Sequence, residues 1–229
     1  RHYQVPHARQ MTISNEAEIS RVYTGIVKTL YEAVKRRIHN TERPVACLLS
    51  GGLDSSLIAG ILRRILPEEV PLFTYSIGMK GATDEKYARA VANHIGSIHT
   101  HFLVTKEEMI DIIPEVIEAI GSYDTTTVRA SIGNYLVCKK IKEKNECVYL
   151  FNGDGADEVM GGYLYFHNAP DSNMFDLESR QLLNDIHCFD VLRSDRCIAG
   201  NGLAPRTPYL DREFVDYYIN ISPDIRKEA

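Results

Sequence analysis

Apolar residues recur at helical spacing near the start of the chain. From Asn15, which is followed three residues later by Glu18 as a capping signal, apolar side chains return every three or four positions as far as Ile38. Such spacing places them on one face of a helix, and Asn is a favoured residue at a helix N-cap. The pattern therefore predicts a long amphipathic helix with one buried stripe.

Four short apolar runs further along the chain are bounded by Gly, Pro or polar residues, as buried strands are. They are residues 45–49, 71–78, 97–104 and 147–151. Helical periodicity covers about 55–66, 84–95, 105–120 and 130–143, with Pro114 expected to interrupt the third of these segments. Strands that alternate with helices pair in parallel through right-handed crossovers. The chain is therefore predicted to be an α/β protein with a doubly wound parallel sheet.

The last third of the chain has a different pattern. Residues from about Met174 to Cys197 predict helix, and residues 200–211 predict loop. We expect a small, mostly helical second lobe to begin near residue 105 and to pack beside the sheet. In the helix after the first strand, the residues expected to be buried are Leu57, Ile58, Ile61, Leu62, Ile65 and Leu66.

Composition narrows the class of partner. Among 229 residues the net charge is −5, the pI is about 5.9 and the basic residues are scattered, which argues against nucleic acid or an anionic membrane as partner. No run approaches the roughly 18 apolar residues of a membrane span. Five cysteines without a C-x-x-C pair favour core packing in a reducing, cytoplasmic setting. Residues 1–14 are predicted to be an arm or linker, and the opening Arg1 leaves open whether the chain is part of a longer one.

The stretch SGGLDSS, residues 50–56, has the outline of a phosphate-binding loop. Its glycines let N–H groups point outward, the helix start adds its positive end, and its serines add hydroxyl donors. No Lys follows, so the Walker pattern is absent. Asp54 would repel phosphate unless a divalent cation lay between them, as Mg²⁺ does when carboxylates and phosphates share it. The alternative is a plain turn in which Asp54 caps the helix.

A second glycine loop, NGDGADE, follows the strand at residues 147–151. Asp154, Asp157 and Glu158 crowd into it, with glycines that let a ligand approach the backbone. An EF-hand is excluded because its sixth position is Asp157 rather than Gly and its twelfth is Tyr163 rather than Glu. The alternative is a solvated acidic turn. One metal bridged by Asp54 and Asp157 would explain why both loops are acidic, since both follow strands of one parallel sheet.

Three other features are less specific. His99 and His101 alternate on one face of a strand, and ordinary strand residues are favoured over metal ligands because no third ligand is evident nearby. Asp84 either joins the metal shell or caps the helix that it begins. Arg129 either neutralises a phosphate or substrate carboxylate or forms a surface ion pair.

The chain resembles a known family in these stretches and in others. SGGLDSS resembles the pyrophosphatase loop of the adenylating amidotransferase superfamily, whose fold is that of the adenine nucleotide α hydrolases. From about residue 15 to the end, the chain looks like the synthetase domain of glutamine-type (class B) asparagine synthetases. The motifs that carry this resemblance are YSIGMKGATDEKYARAVANHIGSIHTHF, SYDTTTVRAS, NGDGADEVMGGYLYFHNAP and APRTPYLD, and the part GGYLYFHNAP is the most specific.

The resemblance implies an ATP-dependent reaction. The side-chain carboxylate of aspartate attacks the α-phosphorus of ATP and releases pyrophosphate, and ammonia then displaces AMP from β-aspartyl-AMP. It implies that Asp54 and Asp157 hold Mg²⁺ and that Asp154 and Arg129 are catalytic. The nucleotide would meet Leu48, Ser50, Gly51, Gly52, Asp54, Ser55, Ser56, Ile77, Gly78, Asn152 and Gly153. The substrate would meet Thr126, Thr127, Arg129, Asp157 and Glu158.

The chain departs from the family pattern in its second loop and in its extent. The family usually has S-G-E-G-S-D-E, with the first Glu as proposed base, whereas this chain has Asn152, Asp154 and Ala156 at the three differing positions. An aspartate is one methylene shorter, so its reach differs. Nothing in the chain resembles the family's glutaminase domain or its carboxy-terminal catalytic Lys. The nitrogen source is therefore expected to be free ammonia, or a glutaminase domain or subunit elsewhere.

Two other readings remain open at this point. One is another adenylating amide-forming ligase, such as a β-lactam synthetase. The other is a nucleotide-binding homologue with impaired catalysis, for which Asp154, Ala156 and the absence of the family's catalytic Lys are the evidence. The sequence leaves open whether the protein forms a homo-oligomer.

Overall fold

Five parallel strands form the centre of the protein. The computed structural model describes Met11, residues 15–39 and residues 44–228. The strand order is β3-β2-β1-β4-β5, and every neighbouring pair is parallel. The strands are β1 Val45–Leu48, β2 Phe73–Gly78, β3 Ile98–Leu103, β4 Tyr149–Phe151 and β5 Ala204–Arg206. The doubly wound α/β fold expected from the sequence is confirmed.

Eleven helices are found in the part of the chain that the structure describes. They are α1 Glu16–Ile38, α2 Leu53–Ile65, α3 Asp84–Ile95, α4 Lys106–Asp111, α5 Ile113–Ile120, α6 Thr125–Lys144, α7 Ala156–Met160, α8 Ser172–Asp185, α9 Asp190–Gly200, α10 Arg212–Ile219 and α11 Pro223–Glu228. Short 3₁₀ turns cover Leu164–Asn168, Ile186–Cys188 and Pro208–Leu210.

Helices cover both faces of the sheet, as the alternation along β1 shows. Val45 and Cys47 pack into the core formed with α1, α2, α3 and α10, whereas Ala46 points to the opposite face and packs with residues of α6 and α9. When a parallel sheet is buried on both faces, the sequence of each strand is a continuous apolar run rather than an alternation of apolar and polar residues. This explains why VACL carries no polar position.

Local signals set the ends of several helices as expected. The Asn15 side chain accepts a hydrogen bond from the Glu18 N–H and caps α1. Thr105 and Glu108 form a reciprocal capping box at α4, and Pro114 lies in the first turn of α5, after the break between the two helices. The side chains of Asn15, Thr105 and Glu108 accept hydrogen bonds from backbone N–H groups that have no partner inside the helix.

Other expectations about the elements were wrong. Helix α6 begins at Thr125 rather than near residue 130, because Asp124 caps it through the Thr127 N–H. The segment predicted as loop contains β5, which pairs with β4 at the sheet edge. The helical stretch from Met174 to Cys197 is two helices separated by a short turn. Leu57, expected in the core, is 43% exposed, whereas Ile58 and Leu62 on the same helix are fully buried.

The arm predicted for residues 1–14 lies outside the described residues except for Met11, which pairs with Ile221. None of the described helices is long and apolar enough to cross a membrane. All five cysteines are free, and only Cys188 is exposed. Burial raises the pKa of the Cys47 and Cys138 thiols, so these side chains act as small apolar groups rather than nucleophiles.

One ionic cluster joins the end of α1 to the start of α10. Asp211 accepts hydrogen bonds from Arg36 at 2.5 Å and from Arg37 at 2.7 Å, and it also caps α10 through the Glu213 N–H. Burial by itself raises the pKa of Asp211, but the hydrogen bonds from Arg36 and Arg37 outweigh it and hold the pKa below its ordinary value. The charged form of Asp211 therefore stabilises the folded state.

We expect Asp211→Asn to destabilise the fold by about 2 kcal/mol at pH 7, because the amide keeps the helix cap but loses the charge between two arginines. A depressed folded pKa contributes stability above the unfolded pKa of about 3.9, and that contribution is lost as the pH falls through the folded value. The difference from wild type should therefore shrink below about pH 4 in urea unfolding. Asp195→Asn, at an exposed position of α9, is the control. A difference that stayed constant from pH 7 to pH 3 would contradict this role.

Candidate active site

The two glycine loops leave the sheet side by side. In the register of β1 and β4, Cys47 pairs with Phe151, so Leu48 and Asn152 are the next residues of their strands at the same level. Neighbouring strands are about 4.8 Å apart. In an open parallel sheet, a crevice forms at the carboxyl ends of the strands where the chain switches direction. The crevice lies here between β1 and β4.

The first loop presents the open end of α2. Gly51 has φ +87°, and a Cβ there would lie 2.5 Å from the Ala88 nitrogen, so this turn requires glycine. Gly52 is the N-cap of α2 and makes no side-chain cap. Asp54 lies within the first turn, so the alternative in which it caps the helix is wrong. The first N–H groups of α2 therefore have no intrahelical partner and favour an anion.

Serine hydroxyls fix the shape of this loop. Ser50 Oγ lies 3.0 Å from Ser55 Oγ and accepts a hydrogen bond from the Gly52 N–H at 3.2 Å. Ser56 Oγ donates to the Gly52 carbonyl at 2.6 Å. The loop is thus held by its own side chains in a preformed conformation.

The second loop touches the first at Gly153. A Cβ at this position would lie 3.1 Å from both the Asp54 Cβ and the Ser55 nitrogen. Gly155 has φ +90° and would meet the Leu210 side chain at 2.4 Å. Glycine at position 153 allows the two loops to pack against each other, and glycine at position 155 allows the second loop to pack against Leu210. The first of these contacts brings the carboxylates of the two loops to one cavity.

That cavity has a volume of about 370 Å³. Five carboxylates line it, together with a single Lys or Arg among the described lining residues, Arg193. The carboxylates are Asp54, Asp154, Asp157, Glu158 and Asp190. Leu48, Ser50, Gly52, Ser55, Asn152 and Gly153 of the sequence-predicted set also line it. The alternative of a solvated acidic turn is therefore not supported.

Asp54 and Asp157 face this cavity from opposite loops. Burial raises the pKa of both carboxyls, and the charge of Asp157 raises that of Asp54 further. Among the described residues, no three His, Cys, Asp or Glu side chains form a metal site by themselves. Two carboxylates with no third protein ligand fit Mg²⁺, which commonly takes its remaining ligands from phosphates and water.

Asp154 is turned toward the wall of the cavity. Its Oδ2 accepts a hydrogen bond from Asn152 Nδ2 at 2.8 Å, and the same amide donates to Ser194 Oγ at 2.7 Å. Burial raises the pKa of Asp154, while Ser194 and the positive charge of Arg193 partly offset that effect. Asn152 thus holds the Asp154 carboxylate in place.

Glu158 and Asp190 share a tyrosine on the opposite wall. The Tyr163 hydroxyl lies within hydrogen-bond distance of Glu158 Oε1 and, at 2.9 Å, of Asp190 Oδ2. Burial and the hydrogen bond with Asp190 raise the pKa of Glu158 to about 8. Burial by itself raises the pKa of Asp190, but Glu158 and Arg193 outweigh it and lower that pKa. A proton shared by the pair therefore resides on Glu158.

A second cavity, of about 120 Å³, adjoins the first. It shares Leu48, Ser50 and Asn134 with the first cavity, and Ile77, Asp84 and His101 line it as well. The N-cap of α3 is Thr83, which has no side-chain cap, so Asp84 is not the cap. Asp84 lines this second cavity and not the one that holds Asp54 and Asp157. His99 and His101 both hydrogen-bond Ser76, as strand residues do, rather than forming a metal site.

Some predicted site residues do not line either cavity. Gly51 and Ser56 shape the first loop, and Gly78 accepts a backbone hydrogen bond from Val104. Thr127 uses its N–H and hydroxyl to bind Asp124 at the start of α6. Thr126 and Arg129 are exposed on the same helix. Contacts of these three residues with substrate stay predictions.

Four residues that the sequence did not single out also line the main cavity: Asn134, Tyr163, Asp190 and Arg193. Asp190 and Arg193 are three residues apart on α9, a spacing that puts them on one helix face and was available in the sequence. Asn134 lies seven residues after Thr127, and this spacing of about two turns puts both residues on one face of α6. Nothing local indicated that α9 reaches the crevice.

Comparison with known proteins identifies the family of the chain. The Asparagine synthase family matches residues 25–182 and 175–228. The chain is 46% identical over 212 residues to "Asparagine synthetase [glutamine-hydrolyzing]" of Bos taurus and 45% identical to that of Homo sapiens. Each alignment covers 91% of this chain and 38% of the relative, so the chain spans less than two fifths of the length of these relatives.

Solved structures give a more distant likeness. The alignment with a U34-tRNA thiolase, NcsA, from Methanococcus maripaludis covers 87% of this chain and 63% of the thiolase chain, with a TM-score of 0.49 and 12% sequence identity. NMN synthetase from Francisella tularensis overlaps 87% and 93%, with a TM-score of 0.42 and 11% identity. The sequence matches, which extend across both glycine loops, decide the assignment: this chain belongs to the asparagine synthase family.

Proposed function

We propose that the protein catalyses the ATP-dependent amidation of aspartate to asparagine through β-aspartyl-AMP, with release of AMP and pyrophosphate. The observation that carries this proposal is the convergence of Asp54 and Asp157 on one cavity beside the open end of α2. Membership of the asparagine synthase family supports the same reaction. In-line displacement at phosphorus depends mainly on positioning and on neutralising charge. The preformed loop would supply the positioning, and a Mg²⁺ held by Asp54 and Asp157 would supply the neutralising charge.

Each part of the nucleotide has a matching part of the site. The phosphates would lie against the N-terminus of α2 and the hydroxyls of Ser50 and Ser55. Asp54 and Asp157 would hold Mg²⁺, which supplies positive charge for the departing pyrophosphate. The base would enter the second cavity, whose walls include Leu48 and Ile77. Since the two cavities share Leu48 and Ser50, one nucleotide can reach both.

The aspartate substrate would lie on the α6 and α9 side of the cavity. Thr127 shares a helix face with Asn134, which lines the cavity, so Thr127 lies about 10 Å further along the same face. Arg193 would contact negative charge on the substrate, and Arg129 would join it from the start of α6. Asp154 would accept the proton that the nitrogen nucleophile loses.

The nitrogen donor is proposed to be free ammonia at this site. The full-length relatives are named glutamine-hydrolysing, and a glutaminase domain or subunit would supply ammonia to a cavity of this kind. We place the protein in the reducing cytoplasm, which suits its free cysteines.

A nucleotide-binding homologue without turnover is the second candidate. The hydrogen bond from Asn152 to Asp154 favours it, because it holds the proposed base against the wall. Pyrophosphate release that depends on aspartate would decide for the ligase. Binding of ATP with no release in excess ammonia and aspartate would decide for the homologue.

Replacing Asp54 or Asp157 with Asn should weaken magnesium-dependent ATP binding by about 100-fold, because each removes half of the protein's ligand charge for the metal. The double variant should lose little more than either single variant, since both act on one ion. Isothermal titration with ATP, with and without Mg²⁺, measures this. Asp195→Asn is the matched control, and additive losses in the double variant would contradict a shared ion.

Asp154→Asn should leave aspartate-dependent pyrophosphate release within about threefold of wild type while reducing asparagine formation by about 100-fold or more. The reason is that a base is needed only when nitrogen attacks. Asp154→Glu, which restores the family's usual residue, should form asparagine at least as fast as wild type. Parallel measurement of pyrophosphate and asparagine tests this, and equal loss of both products would refute the role of Asp154 as base.

A further inference from the structure

A third cavity adjoins the one that holds the proposed metal ligands, and its volume is about 540 Å³. Asp54 and Asp157 line both cavities, and among the described residues no other side chain is shared between them. Much of the remaining wall comes from α7, α8, α10 and α11, which contribute Met160, Phe175, Tyr218 and Arg226. The two proposed metal ligands therefore form the boundary between the first cavity and the third.

The two cavities differ in charge. Five carboxylates and Arg193 line the first cavity, whereas the third keeps only the two shared carboxylates and adds Arg226, Lys227 and His167. The other described residues of the third cavity are uncharged. An anion that passes from the first cavity into the third therefore leaves three carboxylates behind and approaches two permanent positive charges.

Arg226 carries a buried donor group that has no partner. Its side chain is fully buried. Nε donates to the Ile221 carbonyl at 3.1 Å and Nη2 to Asp176, and neither of these partners lines the third cavity. Nη1 has no hydrogen-bond partner among the described residues. Because arginine keeps all of its N–H groups, this conclusion requires no choice of protonation state.

The positive charge of Arg226 is only partly compensated. Burial lowers the pKa of its guanidinium, and the charge and hydrogen bond of Asp176 do not fully offset that effect. Nη1 is itself covered, so it acts on an anion in the cavity mainly through its charge. The apolar side chains of Phe166, Phe175 and Met160 on the same wall screen that charge little.

Lys227 and the start of α2 offer direct contacts. Lys227 is half-buried and donates to the Ala169 carbonyl at 2.9 Å, which engages one of the three N–H donors of its ammonium group. Leu53, the first residue of α2, lines the third cavity, whereas Gly52 and Ser55 line the first. The first turn of α2, whose N–H groups attract anions, therefore borders both cavities.

The proposed reaction produces an anion at this boundary. A carboxylate oxygen of aspartate forms a bond to the α-phosphorus of ATP, the bond from that phosphorus to the bridging oxygen breaks, and pyrophosphate leaves with the electron pair. The leaving group departs opposite the nucleophile. Since aspartate is placed on the α6 and α9 side of the first cavity, pyrophosphate departs away from these helices, and the third cavity lies beyond Asp54 and Asp157.

We propose that the third cavity is an exit site for pyrophosphate, in which Lys227 and the charge of Arg226 receive the product after it has separated from the α-phosphorus. This inference rests on the proposed function, because that reaction supplies the pyrophosphate. The site is distinct from the place of the phosphates in bound ATP, which lie in the first cavity against Ser50 and Ser55. Residues of the third cavity therefore act on the product more than on the nucleotide.

The test compares the binding of inorganic pyrophosphate and of ATP, each titrated calorimetrically in the presence of Mg²⁺. Arg226→Met and Lys227→Gln should each raise the dissociation constant of pyrophosphate about tenfold and that of ATP less than about threefold, because each removes one positive charge from the exit site only. Arg226→Lys keeps the charge and should stay within about threefold of wild type for both ligands. Lys28→Gln, at an exposed position of α1, is the control and should change neither constant.

Two features keep the test decisive if a buried substitution disturbs folding. In Arg226→Met the Asp176 carboxylate keeps its ion pair with Arg180 at 2.8 Å, so no buried charge is left alone. Lys227 is half-buried, and its replacement removes no buried ion pair. If Arg226→Met does not fold, Lys227→Gln decides by the same comparison.

The outcomes separate this inference from the proposed function. If the folded variants bind pyrophosphate as tightly as wild type, or if they lose ATP and pyrophosphate equally, the exit site is overturned and the function stands. Wild type that binds ATP but not pyrophosphate has the same meaning. Wild type that binds neither ligand in the presence of Mg²⁺ overturns both.

Discussion

The close approach of two glycine loops at the ends of β1 and β4 is the constraint on which the site depends. Gly153 packs its backbone against Asp54 and Ser55, at a distance where a Cβ would already be tight. The β1–β4 register delivers the two loops to the same level of the sheet, and Gly51 gives the first loop its left-handed turn. Because of this contact, carboxylates from distant parts of the sequence share one cavity.

This arrangement creates a cavity in which the carboxylates outnumber the positively charged side chains. Burial raises the pKa of Asp54, Asp154 and Asp157 above ordinary values, and only Arg193 offers a positive charge among the described lining residues. Like charges in a low-dielectric crevice repel one another, and a bound cation reverses the sign of that interaction. A cavity of this kind favours a nucleotide that arrives with its metal over one that arrives without it. The open end of α2 then contributes the remaining attraction for the phosphates.

Features with a local cause could be predicted from the sequence. The cap at Asn15, strands β1 to β4 and the two acidic glycine loops each follow from spacing or turn chemistry within a few residues. The start of α6 was missed because Thr125–Thr127 are poor helix formers, and the cap at Asp124 outweighs that preference. Strand β5 was missed because its three residues, one of them a proline, gain strand geometry only by pairing with β4. Asp190 and Arg193 were missed because the packing of α9 against α6 brings them to the crevice, and such contacts have no sequence period.

A crystal structure of the protein soaked with ATP and MnCl₂, in which anomalous scattering locates the metal, tests the shared metal site most directly. We expect one metal peak between the carboxylates of Asp54 and Asp157, with the phosphates against the N-terminus of α2. A nucleotide bound elsewhere, or a metal that touches neither carboxylate, would contradict it.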